Sequence, residues 1–218
     1  MRHMGRGIGR LGMVLLAVVA VGLAPAGPVS AAMLAEAPEA MPDWRGTVTS
    51  DLSCEGSSLI VELDYAVFLP GDYGGSDPSG GSEYVYAYQV FNTDSSTVGI
   101  CVLTIGLDPL ADAGNIGHDL AGPGEAGGVC PDLCVISPTS ASARWAFGWV
   151  GGSEIGVGEH SAVLLFTSPD EPKWSCAVVA DGGLPVPAGT LPSPVPEPTS
   201  LLLLVAGALA AHARRRRH

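Results

Sequence analysis

The sequence predicts an all-β protein folded as an antiparallel two-sheet sandwich, Ig-like or jelly-roll-like in arrangement. β-Branched and aromatic residues, which favour strands, are concentrated in six segments: 58–68, 84–92, 98–107, 143–150, 161–167 and 173–179. Residues 44–49 and 129–136 are weaker candidates. Clusters of Gly, Pro, Asn, Asp and Ser separate these segments and predict turns. Several short strands at this spacing favour a sandwich, and a barrel is the alternative.

The amino terminus predicts a signal helix ahead of the sandwich. Residues 1–31 combine early arginines, an apolar stretch at 11–23 and a helix break at Pro25. Small residues at this point suit cleavage by signal peptidase after Ala31, with cleavage after Ala32 as the alternative. This is the pattern of a secretory signal peptide, so we expect an exported protein.

The charge of the chain changes when its two ends are set aside. Only three of the ten basic residues lie in the central part, namely Arg45, Arg144 and Lys173. Because 21 of the 22 acidic residues remain there, its net charge is −18. Binding to nucleic acid requires clustered Lys and Arg to contact the phosphates. We therefore expect no nucleic-acid partner.

The domain organisation follows from a change in composition near residue 182. Residues 32–181 contain the predicted strands and form the predicted sandwich domain. Residues 182–194 are rich in proline, which favours an extended linker. The remaining segment, 195–218, has a pattern of its own.

The carboxyl-terminal segment has three parts. The motif Pro196-Glu197-Pro198 is followed by an apolar run at 201–211 and then by four arginines: Arg214, Arg215, Arg216 and Arg217. The apolar run is shorter than the roughly 20 residues that a transmembrane helix needs. Counted from 199 to 213 it becomes a marginal hydrophobic helix, and arginines on one side act as a membrane stop on the cytoplasmic face.

This tripartite tail resembles the PEP-CTERM sorting segment of bacterial exported proteins, which an exosortase recognises and cleaves. The resemblance implies that Pro196, Glu197 and Pro198 are the sorting motif and that 201–211 is a removable anchor. It also implies an exported protein, transiently anchored in the inner membrane and then placed in the cell envelope, at the cell surface or in the extracellular matrix. Extracellular polysaccharide is a partner implied in the same way. A tail anchor that is never cut is the alternative.

Five cysteines in an exported protein allow at most two disulfides and leave one thiol over. Cys130 and Cys134 could close a small loop, and Cys54 and Cys176 could tie the first strand to the last. A metal site at Cys130 and Cys134 lacks a second Cys/His pair at ligand spacing. We therefore predict disulfides from this set.

Sequence patterns of catalysis are absent, so we expect a protein that is not an enzyme and has no cofactor. No nucleophile elbow, P-loop or H-E-x-x-H occurs. A triad of His118 or His160 with Asp119 and a serine is the enzymatic alternative. Residues 122–127 match G-x-G-x-x-G, but they contain a proline and open no predicted helix, which indicates a loop.

Calcium is the ligand hypothesis that the acidic loops raise. Oxygen ligands on flexible loops suit Ca²⁺, and two loops carry them: Asp108, Asp112, Asn115 and Asp119 in one, Asp72 and Asp77 in the other. Neither matches the EF-hand pattern, so polar turns are the competing interpretation.

Aromatic residues alternate along two predicted strands and place one row on each: Tyr84, Tyr86 and Tyr88 in the first, Trp145, Phe147 and Trp149 in the second. Such rows pack in the core of a sandwich or, when exposed, stack on sugar rings. We expect a structural or interaction protein. The alternative is a carbohydrate- or calcium-binding module, which exposed tyrosines would favour.

Overall fold

In the computed structural model, which describes residues 33–54, 56–181 and 185–196, the protein is a β-sandwich. Its ten strands, in chain order, are β1 (Ala40–Cys54), β2 (Ser57–Phe68), β3 (Tyr84–Asn92), β4 (Val102–Gly106), β5 (Gly114–Asp119), β6 (Leu133–Ser137), β7 (Ser142–Ala146), β8 (Val163–Ser168), β9 (Pro172–Ala180) and β10 (Pro185–Pro194). A 3₁₀ turn, Leu34–Glu36, precedes β1. The predicted fold class is confirmed.

The strands form two five-stranded sheets. The first has the order β1-β2-β3-β8-β5 and the second the order β10-β9-β4-β7-β6. Neighbouring strands pair antiparallel throughout both sheets. The two sheets pack face to face over one apolar core, whose largest buried side chains include Trp145, Tyr86 and Tyr88.

A second, smaller apolar cluster covers the outer face of the first sheet. Leu34 and Ala37, from the segment ahead of β1, pack with Phe68 and Val85 there. The Arg45 side chain donates a hydrogen bond to the Ala37 carbonyl and holds this segment down. The second half of β2 is consequently buried on both faces, whereas its first half alternates as a one-sided strand does.

The outer face of the second sheet is different. The described residues place no comparable apolar layer over it, and side chains on β6 and β7, such as Leu133, Val135 and Arg144, are exposed. This is therefore the open face of the sandwich. In the described part of the chain no helix has the length and hydropathy to cross a bilayer.

Residues 185–194 differ from the predicted linker because they form β10. Strand β10 pairs with β9 along its length and buries Val186, Ala188 and Leu191 in the core. Its prolines are compatible with a strand because β10 is the edge of its sheet, where one side of the backbone has no partner to bond. The sandwich thus extends beyond the predicted limit at residue 181.

The predicted disulfides are wrong. Cys101, Cys130, Cys134 and Cys176 are free thiols. Cys134 lies in β6 with its side chain against the core, whereas Cys130 lies outside that strand. Because Cys176 is a free thiol, the predicted pair with Cys54 is not formed.

The predicted signal helix at 1–31 and the hydrophobic helix at 201–211 lie outside the described residues, as do Glu197, Pro198 and the four terminal arginines. Among the sorting-motif positions, Pro196 is the last residue that the structure describes.

Candidate functional site

The structure divides the aromatic residues into core and surface. Tyr86 and Tyr88 are 0% and 1% exposed, so this row belongs to the core and offers no platform for a sugar. Trp145 and Phe147 are buried as well, but Trp149 is 67% exposed. The one aromatic side chain of these two rows that reaches the solvent broadly is therefore Trp149.

Trp149 lies at a groove on the open face of the second sheet. The groove has a volume of about 440 Å³, and none of its ten lining residues is acidic. Its base consists of outward-facing side chains on the neighbouring strands β4 and β9, among them Val102, Thr104 and Val178. Apolar walls with few polar groups are typical of ligand sites, which have volumes of roughly 300–1,000 Å³.

The loop that presents Trp149 is fixed at both ends. The backbone N–H of Phe147 donates to the carbonyl of Cys101 at 2.7 Å, and Ile155 pairs with Ile100. Gly148 has a φ of 67°, a left-handed conformation that costs glycine little, and this turns the chain out of the strand direction.

Asp132 holds the exposed tip of the same loop. Its carboxylate accepts a hydrogen bond of 2.8 Å from the backbone N–H of Trp149. A Cβ at Gly152 would come within 1.9 Å of this carboxylate, so only glycine permits the close approach. Asp132 is therefore a positioning residue for Trp149.

Arg144 supplies the charge of the groove. It is exposed on β7, and its guanidinium carbon lies 5.7 Å from the centre of the Trp149 ring. Contacts of this kind are weakly attractive and orient the guanidinium. Two of the groove's lining residues thus form one unit, an aromatic face beside a permanent cation.

Cys101 and Cys134, two partly buried thiols of this sheet, are protonated at neutral pH. Burial, followed by a hydrogen bond to Glu154, raises the pKa of Cys101 to about 11. Burial also raises the pKa of Cys134. Because the thiolate is the nucleophile and the metal ligand, these environments favour neither role.

Asp119, a predicted calcium ligand, closes a loop contact instead. Its Oδ2 accepts hydrogen bonds from the backbone N–H of Ser76 at 2.8 Å and from the hydroxyl of Tyr73 at 3.3 Å. Its Oδ1 accepts one from the N–H of Ala121 at 2.8 Å. The structure therefore joins the two predicted acidic loops, but through backbone and phenol groups.

The other predicted calcium ligands bond within turns, bond to residues distant in sequence, or lie at the surface. The Asp77 carboxylate accepts from the N–H of Ser79, and the Asp108 carboxylate accepts from the N–H of Leu110. The N–H of Asp112 donates to the Asp170 carboxylate, and the Asn115 amide donates to the Thr167 hydroxyl. Asp72 is exposed. Within residues 33–54, 56–181 and 185–196, no three His, Cys, Asp or Glu side chains meet as a metal site requires.

His118 and His160, the alternative histidines of the predicted triad, lie in different surroundings. His118 is exposed on β5 while its neighbour Asp119 is buried, because adjacent strand residues face opposite sides. His160 stacks on Phe91 with ring centres 5.6 Å apart, and its Nε2 is buried without a hydrogen bond. The glycine-rich loop at 122–127 is held by Gln89. The side-chain amide of Gln89 donates to the carbonyl of Glu125 and accepts from the N–H of the same residue.

The sorting segment begins where the last strand ends. Pro194 pairs with Pro172 at the end of β10, and the N–H of Val195 donates to the carbonyl of Glu171 at 3.1 Å. Tyr88 in the core donates its hydroxyl proton to the carbonyl of Pro192. Pro196 is thus separated from the packed sandwich by a single residue.

Comparison with known proteins bears on this segment. Residues 194–217 match the family model of the PEP-CTERM protein-sorting motif. The chain therefore carries a PEP-CTERM motif, which supports sorting by an exosortase to the cell envelope or surface. No curated protein and no solved structure matches the chain.

Proposed function

We propose that this chain is a surface-displayed protein that acts by binding rather than by catalysis, with the open face of its second sheet as the contact surface. A signal peptide directs its export, and the tail anchors it briefly in the inner membrane until an exosortase removes the anchor. The observation that carries the proposal is the groove beside Trp149 and Arg144.

Three features support a binding role. Trp149 and the adjoining Val150 are 67% and 77% exposed, and Trp149 lies beside the apolar groove; contiguous apolar surface of this kind marks contact sites. The loop that carries it is fixed by Asp132 and Phe147, so the site is formed before any partner arrives. Asp119, the acid that sequence patterns suggest for both a catalytic triad and calcium, is occupied by loop contacts.

The cellular test compares Trp149→Ala with Leu110→Ala in the natural host. Leu110 is 68% exposed and lies outside the groove, so it controls for the loss of an exposed apolar side chain. We expect both variants to be exported and processed alike. Only Trp149→Ala should be released into the medium instead of staying with the extracellular material. Retention of Trp149→Ala at the native level would contradict the binding role of this face.

A further inference from the structure

We propose that the groove binds an acidic oligosaccharide, with a sugar ring stacked on Trp149 and a sugar carboxylate paired with Arg144. This inference rests on the proposed binding function and names the class of partner. It follows from the shape of the groove, its charge and its place in the sheet.

The shape and chemistry of the groove suit a sugar ring. Its base is a stretch of β-sheet surface covered by small side chains, including Val102, Val178 and Ala180. Trp149 adds an open indole face beside it, and sugar rings present an apolar C–H face that packs on such surfaces. Thr104 contributes a hydroxyl that can bond a sugar hydroxyl.

The charge of the groove selects an anion. The central part of the chain has a net charge of −18, yet no acidic residue lines this groove and Arg144 does. A guanidinium presents paired N–H groups that match a carboxylate in a bidentate geometry. A carboxylate on the ligand would pair with the exposed guanidinium of Arg144, the one charged side chain among the described residues that line the groove.

The place of the groove in the sheet disfavours a peptide strand. Peptides that add to a sheet need the free N–H and C=O groups of an edge strand. The groove instead lies over β4 and β9, which are both paired on two sides within the sheet. Side-chain contacts alone hold a ligand here, as suits rings and carboxylates.

The binding test uses two probes that differ only in charge. Oligogalacturonides carry a carboxylate on each sugar, and their fully methyl-esterified forms keep the rings without the charge. The processed protein recovered from its host is titrated with each probe by calorimetry. We expect the acidic form to bind at least about tenfold more tightly, which corresponds to about 1.4 kcal/mol. Equal affinity for the two forms, or binding of neither, would overturn the proposal.

Two variants assign the contacts. Arg144→Gln should remove the preference for the acidic probe while leaving binding of the esterified probe unchanged, and Trp149→Ala should weaken both. Lys173→Gln removes an exposed cation outside the groove and should change neither. Loss of preference in Lys173→Gln, or its retention in Arg144→Gln, would contradict the assignment.

The two experiments distinguish a wrong ligand class from a wrong binding role for this face. If Trp149→Ala is released from the host surface but the native protein binds neither oligogalacturonide form, the face has a partner of another class and only this inference fails. If Trp149→Ala is retained normally, the proposed function fails first.

Discussion

The backbone N–H of Val195, the residue directly before the Pro-Glu-Pro motif, donates a 3.1 Å hydrogen bond to the carbonyl oxygen of Glu171. The motif match begins at residue 194, which is also the last residue of β10. Strand β10 and the matched sorting segment therefore share Pro194 and have no spacer between them. An enzyme that binds the motif therefore has to approach the end of β10 closely.

This lack of a spacer predicts that processing is limited by access. A four-residue Gly-Ser insertion between Val195 and Pro196 should increase the rate at which the tail is removed, because the motif then extends away from β10. Pulse-labelling followed by mass spectrometry of the carboxyl terminus measures the rate. The same insertion between Gly80 and Gly81, in an exposed loop, is the control. Slower or unchanged removal after the first insertion would exclude a steric limit.

The motif itself predicts a second change. Substituting Pro196→Ala together with Glu197→Ala should leave the protein at full length in the membrane fraction, because the exosortase recognition element is lost. Native protein should instead end near residues 195–198. Pro187→Ala, an exposed edge-strand proline outside the motif, serves as the matched substitution and should be processed normally. Normal processing of the double variant would count against the motif.

Much of the fold could be predicted because alternation and β-branched composition act locally. Strand β3 has the predicted limits of 84–92, and β2 differs by one residue at its start. Strand β10 could not be predicted in this way, since its prolines favour a spacer and only its position at a sheet edge makes them compatible with a strand.

The groove was not predictable from alternation either. Trp149 continues the spacing of Trp145 and Phe147, which suggests one buried row. The strand ends at Ala146, and the positive φ of Gly148 turns the chain outward. Gly148 within the aromatic row, with Gly151 and Gly152 after it, is the sequence signal for this turn. The pairing of the loop with Asp132 depends on tertiary contacts that no local pattern contains.

The bond from Tyr88 to Pro192 predicts how firmly β10 is held. Tyr88→Phe keeps the packed ring but leaves the Pro192 carbonyl without its buried donor. We expect a loss of about 1–3 kcal/mol in the free energy of unfolding, the usual cost of an unsatisfied buried group. Urea unfolding of the processed protein measures it. A change close to zero would mean that the last strand is held by its pairing with β9 and its buried side chains without help from this bond.

The hydrogen bond between Asp132 and the backbone of Trp149 predicts that Asp132 supports ligand binding without contacting the ligand. Asp132→Ala frees the N–H of Trp149, so the loop tip should become mobile while the buried ends of the loop stay in place. We expect weaker binding of the acidic oligosaccharide and faster hydrogen exchange at the backbone amide of Trp149. Asp94→Ala removes an acid from another loop and should alter neither. Unchanged binding in Asp132→Ala would show that Trp149 needs no support from this side chain.

Asp64 links the stability of the sandwich to pH. Its side chain is buried on β2, where Thr47 donates to Oδ1 at 2.6 Å while Oδ2 has no partner. Burial raises the pKa of this carboxyl above its ordinary value of 3.8, and the hydrogen bond from Thr47 offsets only part of that effect. As the pH rises, the unfolded chain therefore loses this proton before the folded protein does.

It follows that the contribution of Asp64 to stability is fully present below its unfolded pKa and is lost as the pH rises through its folded pKa. In Asp64→Asn the amide oxygen keeps the bond to Thr47 and no charge develops. The variant should gain stability relative to the native protein as the pH rises from about 3 to about 7. Urea unfolding of both proteins at each pH measures this difference. Asp51→Asn, which removes an exposed carboxylate from the same hairpin, should show no such gain. A constant difference between Asp64→Asn and the native protein across this range would place the pH dependence elsewhere in the molecule.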